Sequence, residues 1–394
     1  MQYVESRQIK GQQIADNGKI KFERGIHFVP STTTQGKVYK VNSTTLECNC
    51  PDYSFRKEPC KHAYAVASQQ GKVDNSNVAE FPKNRYGQKW AIYNKSQTTE
   101  KSEFLRLISD LTRDIHEPQQ TNGRPALPLG DMVFAIVYKV YSQMSSRRFT
   151  TDIEAAHAQG YIDECPHFNS LIRYMDKESL TPILESLIEA TAQPLSALET
   201  SFAVDSTGMS ISNSVSWHRA KHQDKAMLER KNWIKLHCAV GIKTNVISSC
   251  KITDKHGHDH SNFIPVMDAT RKNFDVKEVM ADKAYSSKEH VTYSDLHGIS
   301  PYIPFKDSVQ SYNVDQNPRW SRYYHYFALN RSEFIAKYNM RSNVETTFHM
   351  LKSKFGGLLK SRTFNGQRNE ALCKVICHNI CCLIQAINEF GIEI

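Results

Sequence analysis

The chain has 394 residues, 40% apolar and 23% charged, which fits a globular protein of two or three domains and excludes wholesale disorder, a collagen-like repeat or a coiled coil. Lys plus Arg outnumber Asp plus Glu by 50 to 41, giving +9; residues 1–100 carry +6, 101–200 −5, 201–300 +3 and 301–394 +5. Basic ends around an acidic middle allow a polyanion to lie across the terminal parts, although the same balance suits proteins that never touch nucleic acid.

No stretch reaches the ~18 uninterrupted apolar residues of a membrane helix; the best run is 132–138, so no membrane partner is expected. The start, Met-Gln-Tyr-Val-Glu-Ser-Arg, lacks a basic-then-apolar signal pattern, so the ten cysteines are expected in a reducing compartment, the cytoplasm. Cysteine there serves metal binding, catalysis or packing.

In chain order, the first informative segment is Cys48-Asn-Cys50 followed by Cys60-Lys-His62. Three thiolates and an imidazole are the set that tetrahedral zinc accepts, and four protein ligands fit a closed structural site. Residues 37–42 and 44–47 read as strands, and 62–68 opens a helix. One zinc ion would therefore pin a small ββα module, residues 1–70, that is too small to hold itself together. The alternative is three buried cysteines and a surface histidine. The spacing resembles the SWIM zinc finger over residues 26–68, and that resemblance implies binding to DNA or protein.

A polar run from 68 to 100, with Gly71, Asn75, Asn77, Pro82 and Asn84, reads as linker. Phe104, Leu105, Ile108, Leu111 and Ile115 mark one amphipathic helix before a Pro- and Gly-rich stretch at 117–130, so 71–130 is expected to be a linker with one helix. Gly123-Arg124-Pro125 could place an arginine in a minor groove. Residues 131–199 read as helices at 132–144, 147–159, 168–175 and 181–192, a DNA-binding or dimerisation region. The second and third are either a helix-turn-helix reader or a simple packed pair.

From 200 onward the texture changes to strands, at 202–205, 233–242, 246–252 and 277–281, with a helix at 263–269. The expected fold class is α/β, with a mixed sheet in a domain spanning 200–394.

Two aspartates close strands in this domain. Asp205 precedes Ser-Thr-Gly, so it is either a cleft carboxylate or a turn former. Asp282 precedes Lys-Ala-Tyr, and a capping box of Ser286 with Glu289 beyond it leaves Asp282 without a helix-starting role. A third carboxylate, Glu345, lies in Tyr338-Asn-Met-Arg341-Ser-Asn-Val-Glu345-Thr-Thr-Phe-His-Met-Leu-Lys352. At ~100° per residue, Tyr338, Arg341, Glu345 and Lys352 share an arc of about 60° on one helix face. Alternatively, Ser342 with Glu345 is a capping box and the helix breaks near Arg341, though Glu345 and Lys352 still face the same way.

Convergent carboxylates suit hard divalent ions, and two such ions can activate an attacking oxygen and stabilise a leaving one in phosphodiester chemistry. Arg341 and Lys352 would then clamp phosphates. Asp205, the Asp282-Lys-Ala-Tyr285 string and the Tyr338, Arg341, Glu345, Lys352 spacing resemble the DDE transposases of bacterial insertion sequences, in the branch with a Tyr-Arg-Glu-Lys signature. The resemblance covers about residues 125–385.

It implies an RNase H-like core in which Asp205, Asp282 and Glu345 are catalytic and hold two Mg²⁺ or Mn²⁺ ions. It also implies cleavage at transposon ends and 3′-hydroxyl attack on target DNA. Tyr338, Arg341 and Lys352 would contact DNA phosphates. The partners implied are double-stranded DNA, as terminal inverted repeats and target, and further copies of the chain in a homodimer or higher oligomer, in a prokaryotic cytoplasm at the nucleoid. The alternatives are a transposase-derived DNA-binding protein without catalysis, or a nuclease of the same fold that does not join strands.

Only 62 residues separate Asp282 from Glu345, so any β-insertion is small. Residues 317–329, with Trp320, Tyr323, Tyr324 and Tyr326, are expected to be its remnant, and Trp320 a base-stacking DNA contact. His256-Gly-His258-Asp-His260 reads as a loop rather than a metal site. Cys373, Cys377 and Cys381, with Cys382, read as small core residues of an apolar helix. Lys354, Lys360, Arg362 and Arg368 form either a solvated face or a DNA-facing one, with Lys354 assigned to DNA.

Overall fold

The computed structural model describes residues 6–17, 19–32, 36–56, 59–71, 89–117, 122–123, 126–211, 233–306, 309 and 317–393. They fall into two units, Met1–Gly87 and Gln88–Ile394. The 68–100 linker expectation lies mostly outside the described residues, as do Arg124 and Pro125. Its described end departs from expectation, because α4 (Trp90–Arg113) begins well before Phe104.

In the first unit, β1 (Lys21–Glu23), β2 (Ile26–Pro30) and β3 (Val38–Asn42) form an antiparallel sheet. Helix α1 (Ser6–Asp16) packs on α3 (Lys61–Gln69), with the short α2 (Pro51–Arg56) between β3 and α3. Gly11 permits the approach of α1, since a Cβ there would lie 2.6 Å from Tyr64 Cβ. Residues 44–47, expected as a strand, form a turn instead. The Asn42 carboxamide accepts from the Thr44 and Thr45 amides, and Leu46 takes φ 59°, which ends pairing until Cys48 bridges back to Val41. The sheet partner of β3 is β2, a segment the sequence reading left unassigned.

In the second unit, α4, α5 (Leu129–Ser142), α6 (Thr150–Ala158), α7 (Phe168–Met175) and α8 (Leu180–Ala192) share one hydrophobic core with the sheet domain. The sheet has the order β6 (Ile247–Asp254), β5 (Trp233–Gly241), β4 (Ser201–Ser210), β7 (Glu278–Ala281) and β8 (Ser300–Tyr302). The first three strands are antiparallel, while β7 and β8 join parallel, which is the mixed α/β sheet expected. Helices α9 (Asp259–Arg271) and α10 (Lys288–Leu296) provide the crossovers into and out of β7.

Residues 317–329 are not a β-remnant. Asn317 caps the amides of Arg319 and Trp320, Pro318 occupies the first turn, and α11 (Pro318–Leu329) follows, then α12 (Arg331–Tyr338). Their aromatic faces close a separate cluster in which Trp320, 4% exposed, packs against Phe305 at 4.6 Å between ring centroids. Trp320 is therefore a core residue and presents no face for stacking on a base, contrary to expectation.

A one-turn 3-10 helix, Asn339–Arg341, leads into α13 (Ser342–Phe355), and α14 (Phe364–Phe390) completes the unit. By length and composition α14 could cross a membrane, but 83% of its most apolar window is buried inside the protein. Cys373, Cys377 and Cys382 are buried there as small core residues, with Cys381 half-buried.

Candidate active site and metal centre

Sheet register places the first two carboxylates. Val204 pairs with Ala281 at the end of the parallel β4–β7 ladder, so Asp205 and Asp282 are the next residues along two neighbouring strands. The turn reading of Asp205 fails, because β4 runs on through Ser210. The Asp205 Oδ1 accepts from the Ser206 amide at 2.8 Å. Burial pushes the Asp205 carboxyl above its ordinary range, and Asp282 and Asp259 push it further, while the Ser206 amide and Arg341 oppose them. Asp282 caps the short turn Lys283–Tyr285 without a side-chain hydrogen bond to it.

The third carboxylate reaches this strand end through an arginine. Arg341 Nη1 donates to Asp205 Oδ2 at 2.8 Å and Nη2 to Glu345 Oε1 at 2.7 Å. The capping-box reading of Glu345 also fails, since the chain is already helical at Arg341 and the Ser342 hydroxyl bonds back to the Asn339 carbonyl. Lys352 Nζ donates to Thr207 Oγ1 at 2.6 Å, two residues along β4 from Asp205. The Tyr338 ring lies 5.9 Å from the Arg341 guanidinium carbon. Among the described residues, Asp205, Asp282 and Glu345 are not a group whose oxygens all lie within 4.8 Å; the Arg341 cation stands between two of them.

A fourth acid, Asp259, was passed over in the sequence because it sits inside the histidine-rich loop. It starts α9, bonds Lys235 Nζ at 3.1 Å and the Ser206 hydroxyl, and has His237 Nδ1 at 3.4 Å. Lys354 makes an ion pair with Glu100, and Lys360 donates to the Gln143 carbonyl at 2.6 Å. Both lysines are thus engaged within the unit.

In the first unit, the ligand atoms of Cys48, Cys50, Cys60 and His62 all lie within 4.8 Å of one another, and all four residues are buried. His62 turns Nδ1 toward Cys48 Sγ at 3.9 Å and Cys60 Sγ at 3.7 Å. A hydrogen bond from Cys48 pulls the Cys60 thiol below its ordinary value. Soft donors and a closed, buried cluster suit one structural Zn²⁺.

Residues 197–380 match the family model described as Transposase DDE domain, and residues 34–71 match that of the SWIM zinc finger. A solved structure, described as "Cryo-EM structure of piggyBac transposase synaptic complex with hairpin DNA", is 11% identical over 74% of this chain and 73% of that one, with a TM-score of 0.36.

Proposed function

We propose that this chain, a DDE transposase domain with a SWIM zinc finger N-terminal to it, cleaves DNA at the ends of a mobile element and joins the freed 3′-hydroxyl to target DNA. The observation that carries the reading is the Arg341 bridge. Asp205 and Glu345 already share one cation, and Asp282 adds a third carboxylate at the same strand end. Hard oxygen donors around a carboxyl that burial disfavours as an anion suit Mg²⁺ or Mn²⁺, which Asp205, Asp282 and Glu345 would hold. Such ions supply charge neutralisation and activation of the attacking oxygen.

The chain's own groups hold and orient the DNA. In this reading Arg341 exchanges its carboxylates for a DNA phosphate, which its planar fork can grip through two hydrogens. Lys352, tied to Thr207, adds a second positive charge beside the strand end. The Tyr338 ring adds a cation–π neighbour at 5.9 Å from the Arg341 guanidinium. The zinc finger, the helices of 131–199 and a second copy of the chain are proposed to recognise paired terminal repeats, in a prokaryotic cytoplasm.

The test is a strand-transfer assay with an end bearing a 3′-hydroxyl, in Mg²⁺. Joined product supports transposition, and cleavage without joining indicates a nuclease. Binding without either indicates a DNA-binding descendant.

A further inference from the structure

We propose that His260, Glu289 and His290 form a second site for a borderline transition ion such as Zn²⁺ or Co²⁺, beside the turn that follows Asp282. Their ligand atoms all lie within 4.8 Å of one another. His260 stands in the first turn of α9, and Glu289 and His290 stand in the first turn of α10, so the fold gathers what the sequence keeps 29 residues apart. Ser287, not Ser286, caps α10 by accepting from the His290 amide at 3.1 Å, which leaves the Glu289 carboxylate outside a capping box.

His290 is the fixed member. It is 1% exposed, and its Nδ1 donates to the Tyr285 carbonyl at 2.7 Å, which in the neutral ring leaves Nε2 as the nitrogen that would bind a metal. A carbonyl behind the ring is the outer partner that orients metal-binding histidines. The His260 ring stacks on that of His290 at 4.2 Å between centroids. A tetrahedral ion needs its donors about 3.3 Å apart. His260 is half-exposed and Glu289 exposed, so both side chains have room to change rotamer toward His290 when an ion binds.

Two imidazoles and one carboxylate favour Zn²⁺ or Co²⁺ over Mg²⁺ and leave an open position. An ion here would tie α9 to α10 and, through Tyr285, stiffen the turn Lys283–Tyr285.

The probe is Co²⁺, titrated into the full chain with Mg²⁺ in large excess to hold the carboxylate site. The finger takes one Co²⁺ with an intense thiolate charge-transfer band. The expected result is a second equivalent showing only weak d–d absorption. Its affinity should fall at least tenfold in His260→Ala and in Glu289→Ala, with the thiolate band intact and the His256→Ala control unchanged. Circular dichroism of each variant separates loss of ligand from loss of fold. A single bound equivalent in the wild type, or a second that survives both substitutions, overturns the proposal.

Discussion

Arg341 donates a 2.8 Å hydrogen bond to Asp205 across 136 residues of sequence, and it carries Glu345 on its other nitrogen. One guanidinium thus joins a strand end to a helix. Arg341→Ala is expected to slow end cleavage by about 10²–10³-fold, the cost of removing one preorganised donor from a site of developing charge. Arg341→Lys should recover only part of this, because a point charge cannot bridge two acceptors in a plane. Nicking rates on an end-bearing duplex decide; equal rates for Arg341→Ala and wild type would sink the assignment.

Glu345→Gln should abolish cleavage and leave binding to transposon ends nearly intact. The Glu345 side chain is 63% exposed, so the change should alter stability by no more than about 0.5 kcal/mol. Gel shift and cleavage on the same substrate separate the two effects. Retained cleavage would remove Glu345 from the catalytic set.

His378 supplies a pH dependence away from the active site. Burial pulls it down to about 4 from 6.5, and its Nε2 donates to the Asn245 carbonyl at 2.9 Å. The folded-state value is depressed. As pH falls below 6.5 the unfolded chain therefore gains a proton that the folded one refuses, and stability is lost between about 6.5 and 4. From pH 7 to pH 5 the loss from this group is roughly 2 kcal/mol. Urea unfolding of wild type and His378→Gln at both pH values tests it, since the variant should lack this increment. Parallel losses in the two proteins would contradict the account.

Trp320→Ala should act on stability. With the indole 4% exposed among Phe305, Tyr323 and Phe327, the substitution leaves a cavity costing about 3–5 kcal/mol, read as a lower unfolding midpoint. Unchanged stability with weakened binding to single-stranded DNA would restore the stacking role.

Cys60→Ser should remove bound zinc and unfold residues up to about 70, while the second unit keeps its protection in hydrogen exchange. The same pattern is expected from a strong chelator acting on wild type. Zinc stoichiometry unchanged in the variant would count against the finger.

Local rules carried much of the reading. The helix Phe168–Met175 is bounded as its apolar period indicates, and the zinc ligands lie so close in sequence that their spacing nearly fixes their geometry. Local rules failed in two ways. Residues 44–47 have strand-forming composition yet lose their pairing to a competing local turn, in which Asn42 takes the Thr44 and Thr45 amides, whereas α4 extends back to Trp90 in a helix whose later turns pack into a core shared with the distant α5 and α14. Aromatic residues at 320–326 read equally well as a binding surface or a core, and only the position of Phe305 separates the two.

Residue chemistry alone determined which groups could meet: thiols and an imidazole at metal spacing, aspartates closing apolar strands, and a polar stripe on a helix. Those properties reside in single side chains and short periods, which a sequence states directly. The parallel register that sets Asp205 beside Asp282, the salt link through Arg341 and the meeting of His260 with Glu289 and His290 were decided by tertiary structure. They depend on which strand is neighbour to which, and that choice is made by burial of a whole core, which no short segment encodes.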